Sequence, residues 1–147
     1  MTRLRSDTGN AMVEFTFLGV LLFVPLVYLV LAVLDVQRAS YGASAAVREA
    51  GRAYVGASST AEAERRAEAA ARLALADQGL DLAPGDLRVS CASDPCLTPG
   101  GVVTVTLETR VALPWVPVLG DRPAASVAVS ARHDAVVDAF RPAGAEP

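Results

Sequence analysis

Gly9 and Glu14 stand at the mouth of a long apolar run, Gly9-Asn10-Ala11-Met12-Val13-Glu14-Phe15, after which no charged residue occurs until Asp35. An ionised carboxylate costs about 2.5–3.5 kcal/mol at the centre of a membrane helix and less near its end, so Glu14 calls for a compensating group. Cleavage after Gly9 would supply one. The chain would then start at Asn10 with Glu14 as its fifth residue. A free α-amino group one helical turn from a carboxylate can pair with it, within one chain or between packed neighbours, and offset the cost of both charges. Left uncut, the same segment is a plain single-pass anchor with Glu14 near the interface.

Two other groups of residues could carry chemistry. Cys91 and Cys96 bracket a short loop, Cys91-Ala92-Ser93-Asp94-Pro95-Cys96. In an extracytoplasmic loop this spacing points to a disulfide, and closing so short a loop contributes about 2 kcal/mol. The alternatives are two free thiols, or a metal site with His133 and Asp94 or Asp134, although zinc ordinarily takes four ligands at characteristic spacings and no CxxC pair is present. His133 is the lone histidine. No G-x-S-x-G elbow, Gly-rich phosphate loop or H-E-x-x-H accompanies it, so it reads as an ordinary surface or half-buried strand residue. No catalytic activity, cofactor, metal or small-molecule substrate is expected.

The elements that must hold these residues follow from periodicity. Phe15 to Leu34 are 20 uncharged residues, which at about 1.5 Å each span roughly 30 Å, the thickness of a bilayer core. A cleaved secretory signal has an apolar stretch of only about 7–15 residues. The one A-x-A motif nearby, Ala43-Ser44-Ala45, lies beyond Asp35 and Arg38. No cysteine near the run suggests a lipid anchor, and Arg3-Leu4-Arg5 is not a twin-arginine pair. Pro25 removes one backbone donor and crowds the carbonyl of Leu21, so a kink is expected between them. Ala43, Ala46, Ala50 and Ala53 recur at helical spacing around Val47. One helix is therefore expected from about Asn10 to Val55, its small-residue stripe facing either other helices or this chain's own domain.

Ser59 and Glu62 have capping-box spacing, and Ala61 to Gln78 reads as a second helix stopped by Gly79, with Ala67, Ala70, Leu73 and Ala74 toward the core. After Pro84-Gly85 the period becomes alternating. Leu87 to Cys91 and Val102 to Leu113 form a hairpin, the second strand turning Val103, Val105, Leu107 and Val111 inward. Leu113-Pro114-Trp115-Val116-Pro117 must leave the sheet. Ser126 to about Val137 is a third strand with Val127, Val129 and Ala131 inward, and residues 141–147 read as a frayed tail.

Composition agrees. The 147 residues suffice for one membrane helix and one modest domain, and a formal charge of −3 leaves no footprint for nucleic acid. Arg3 and Arg5 before the helix and Arg38 after it do not decide orientation. The short start and the β-rich, cysteine-containing part beyond the helix place the N-terminus in the cytoplasm and the bulk outside.

At Gly9 through Phe15 the chain resembles prepilins of type IV pilus systems, in which a glycine, four residues and a glutamate open a hydrophobic helix. More narrowly it resembles a TadE-like pseudopilin, or minor pilin, of the tight-adherence (Tad/Flp) system. Glu14-Phe15, the small-residue segment Ala45 to Ala53 and the C-terminal β-rich stretch with Leu113-Pro114-Trp115-Val116-Pro117 carry that likeness. Many type IV pilins begin their mature chain with phenylalanine, where this one has Asn10. The resemblance implies processing after Gly9 by a prepilin peptidase, and as partners the membrane, other pilins and the Tad assembly machinery, in pilus assembly and adhesion. The alternative is an uncleaved, membrane-anchored envelope scaffolding or binding protein. The expected fold is α+β and pilin-like: a leader (1–9), a transmembrane helix (10–35), its continuation (36–56), an α+β domain (57–140) and a flexible tail (141–147).

Overall fold

The computed structural model describes residues 10–113, 118–119, 122–123 and 125–141. The leader with Gly9, the Pro114–Pro117 segment and residues 142–147 lie outside the described residues.

Helix α1 runs Asn10–Val55, 46 residues without a break, a rod of roughly 70 Å. It continues past Pro25 to its expected end. Thr16, within the apolar run, donates its hydroxyl to the Met12 carbonyl at 2.8 Å, so its polar group needs no water. At the far end the Arg141 guanidinium donates to the carbonyls of Val55, at 3.2 Å, and Ala57. A cation there satisfies orphan carbonyls and complements the helix dipole. Arg141 is thus a cap on α1, not the start of a frayed tail.

Helix α2 spans Thr60–Ala76. Ser59 caps it, its hydroxyl accepting the Glu62 N–H at 3.4 Å. The return arm of the expected box is displaced by one residue: the Glu62 carboxylate takes the N–H of Ser58 at 3.0 Å, together with the Ser58 hydroxyl. These bonds, first the Ser58 hydroxyl and then its N–H, hold the Glu62 carboxyl below its ordinary pKa. A group depressed in the folded state contributes stability above its unfolded value and loses it as pH falls through the folded one. Urea midpoints should therefore drop with acidification below pH about 4.3, and less steeply in Glu62→Gln. Equal slopes would remove this role.

The C-terminus of α2 closes as a Schellman turn, with Leu80 N–H on Leu75 O at 3.0 Å, Gly79 N–H on Ala76 O at 2.9 Å, and Gly79 at φ +69°. The helix ends two residues before the expected Gln78. Its buried face is Ala63, Ala67, Ala71 and Leu75. Of the expected core residues only Ala67 is fully buried. Ala70 and Ala74 are half-buried and Leu73 is 67% exposed. The i, i+4 row that starts at Ala63, one turn after the Ser59 cap, sets the phase, and it puts Leu73 on the opposite side.

The sheet has order β1-β2-β5, all antiparallel, with β1 Leu87–Cys91, β2 Val102–Ala112 and β5 Ser126–Val136. A separate two-stranded ribbon, β3 Val118–Leu119 and β4 Arg122–Pro123, interrupts the path between β2 and β5. One face of the main sheet packs on α1, and α2 packs against α1. Val103, Val105, Leu107 and Val111 are buried as expected, with Val129 and Val137 beside them. Ala131 is half-buried, but Val127 is exposed: it sits near the start of the outer strand β5, while its partner Val111 on the central strand stays buried.

The distal half of α1 supplies the rest of the core: Ala39, Ala43, Ala46, Val47, Ala50 and Tyr54. The alanine stripe is therefore covered by this chain's own α2 and sheet. At Gly51 the helix comes close to β5. A Cβ there would lie 3.1 Å from His133 Cδ2 and 3.2 Å from Ala135 Cβ. Gly51→Val should destabilise the domain by about 2 kcal/mol through overpacking, measured by denaturant unfolding. An unchanged midpoint would mean that α1 does not sit this close to β5.

Candidate functional site: the projecting helix

From Ala11 to Leu34 every side chain of α1 is exposed or nearly so. Phe15 is 79% and Leu22 65% exposed. The folded domain reaches α1 only from Val36 onward, and Ala39 is its first fully buried residue. A stretch this apolar, bare around its whole circumference, has no counterpart on a water-facing helix, which shows an apolar stripe and a polar face. α1 is long and apolar enough to cross a membrane. Along one side Phe23, Val24, Val27, Tyr28 and Leu31 line a shallow groove that is almost purely apolar.

Charge returns at the domain end of this stretch. Asp35 and Arg38 pair at 3.8 Å, and Glu49 and Arg52 at 3.9 Å, both one turn apart on exposed faces. Such pairs contribute little to stability. At the other end Glu14 is exposed, one turn into the helix from Asn10, and no bond to it occurs among the described residues. Phe15 beside it points outward as well. Gly9 lies outside the described residues.

The remaining expected residues fall elsewhere. Cys91 and Cys96 form a disulfide with Cα atoms 5.3 Å apart, at the hairpin end, where the buried Tyr54 hydroxyl stands 3.9 Å from Cys91 Sγ. His133 and Asp134 are neighbours in sequence yet project from opposite faces of β5. His133 is half-buried against Gly51. Asp134 accepts the Thr104 hydroxyl at 2.6 Å and meets Arg132 at 3.3 Å, which holds its carboxyl below the ordinary pKa. No group of three or more metal-ligating side chains comes together among the described residues.

Sequence reasoning missed Tyr54, Arg141 and the β3–β4 ribbon. Tyr54 had a signal, lying seven residues after Val47 on the same helix face. Arg141 had none, because its partners are backbone carbonyls more than 80 residues away. Comparison with known proteins returned no match to a family model, a curated protein or a solved structure.

Proposed function

We propose that this chain is a TadE-like minor pilin, or pseudopilin, of a Tad/Flp pilus system. It enters the membrane as a single-pass precursor with its N-terminus cytoplasmic and its disulfide-bonded domain outside. A prepilin peptidase cuts it after Gly9, and it packs through its apolar helix with other pilins and the assembly machinery. One observation carries this reading: Glu14 stands one turn from Asn10 in α1, and the whole apolar stretch that follows is left bare by the domain.

In this role Glu14 meets the Asn10 α-amino group of its own chain or of a neighbour. A charge-assisted bond of about 1.5–3 kcal/mol is then at stake. Glu14→Ala should be cut normally, while surface-assembled protein falls about tenfold or more, as read by blotting sheared surface material against membranes. Undiminished assembly would remove the register role of Glu14.

An uncleaved envelope scaffold has one observation on its side. The small-residue stripe beyond Ala39, a surface suited to neighbouring helices, is already occupied by α2 and the sheet. The two readings differ in the mass of the membrane-resident chain.

A further inference from the structure

The free edge of β5 is the second unfilled surface of the domain. In the β2–β5 ladder the odd-numbered residues of β5 exchange bonds with β2. Leu113 N–H to Ala125 O and Val137 N–H to Gly101 O extend that phase at both ends. In an antiparallel pair the intervening residues turn both backbone groups the other way. The N–H and C=O of Ser126, Ala128, Ser130, Arg132, Asp134 and Val136 therefore point outward, and none is bonded among the described residues. No proline interrupts β5, and the two charges on its outward-bonding residues, Arg132 and Asp134, are paired with each other at 3.3 Å.

Around α1 the order of contacts is fixed. Gly42 meets Gln78 and Leu80 just past the end of α2, Tyr54 meets Cys91 of β1 about 120° further round the helix, and Gly51 meets His133 and Ala135 of β5 about 60° beyond that. At about 100° per residue, Arg48 follows about 60° beyond Gly51 in the same direction. It stands on the flank of α1 past the free edge, exposed and without an ion pair among the described residues.

We infer that the β5 edge receives an extended strand from a different polypeptide, bearing a carboxylate on its helix-facing side opposite Arg48. Strand addition supplies main-chain bonds, and alternate side chains supply selectivity. A second copy adding antiparallel through its own β5 would place a two-fold axis perpendicular to the sheet. Because α1 lies along that sheet, the axis would reverse α1, and the two apolar segments could not enter one membrane. That exclusion rests on membrane insertion of α1. Strand addition itself needs neither insertion nor cleavage at Gly9.

The test uses the detergent-extracted full chain and fluorescent, capped nonapeptides of alternating threonine and valine, with Glu, Gln or Lys at one position on the helix-facing side. The Glu peptide should bind roughly three- to fivefold more tightly than the Lys peptide, the range of an exposed ion pair. Arg48→Glu should reverse that order. Ser130→Pro should abolish binding of every peptide and keep cooperative unfolding, since its N–H serves no internal bond and edge strands tolerate proline. Absence of binding, binding unchanged by Ser130→Pro, or a dimer of this chain that Ser130→Pro dissolves would each overturn the inference. Should Ser130→Pro unfold the domain, reversal or its absence in Arg48→Glu decides.

Discussion

Leu107→Ala should lower the stability of the α/β domain by about 3 kcal/mol. Leu107 is fully buried at the middle of β2, flanked by Leu87 on one side and Ala131 on the other, and its backbone is held by the bonds it exchanges with Ala131. The cavity left by truncation cannot close easily. Its surroundings are ladder-bound strands and an alanine-rich helix whose short side chains have no reach to fill it. Denaturant titration of the detergent-solubilised chain reads the change in midpoint at constant slope. Leu73→Ala supplies the contrast, because that leucine is exposed on α2 and its loss should shift the midpoint hardly at all. Equal effects at the two positions would mean that the sheet does not pack on α1 through this face.

Gly9→Trp should leave essentially all of the chain as precursor. The cut proposed after Gly9 requires a peptidase to approach the backbone closely there, and a residue without a side chain permits that approach. A large ring at the same place blocks that approach and leaves the apolar run from Phe15 to Leu34 unchanged. The expected result on a blot is a single species retaining residues 1–9, with no material assembled at the surface. Processing at the native rate would show that Gly9 is not the recognised position.

Both helices, the three main strands and the disulfide were legible because each is written in local pattern. The limits of α1 follow from an apolar run joined to an unbroken helical stretch, and β2 from strict alternation. What escaped was set by contacts distant in sequence. The phase of α2 depends on where its cap places Ala63, and the helix is so rich in alanine that hydrophobicity barely distinguishes one face from another. Leu73, its most conspicuous apolar residue, pointed to the wrong side for that reason. The alanine stripe of α1 was equally suited to a neighbour's helix or to α2, and only the fold assigns it to α2. Gly51 carries no sequence mark of its contact with His133. The bare half of α1 was the clearest feature of all, since 20 uncharged residues in a row have few other uses.

The most direct measurement is the intact mass of the protein extracted from membranes of cells that express it at native level. A chain beginning at Asn10 is the predicted result, placing a free amine one turn from Glu14 at the lipid boundary. A chain that still carries Met1 to Gly9 would contradict the account, leaving an anchored envelope domain in place of a pilus subunit.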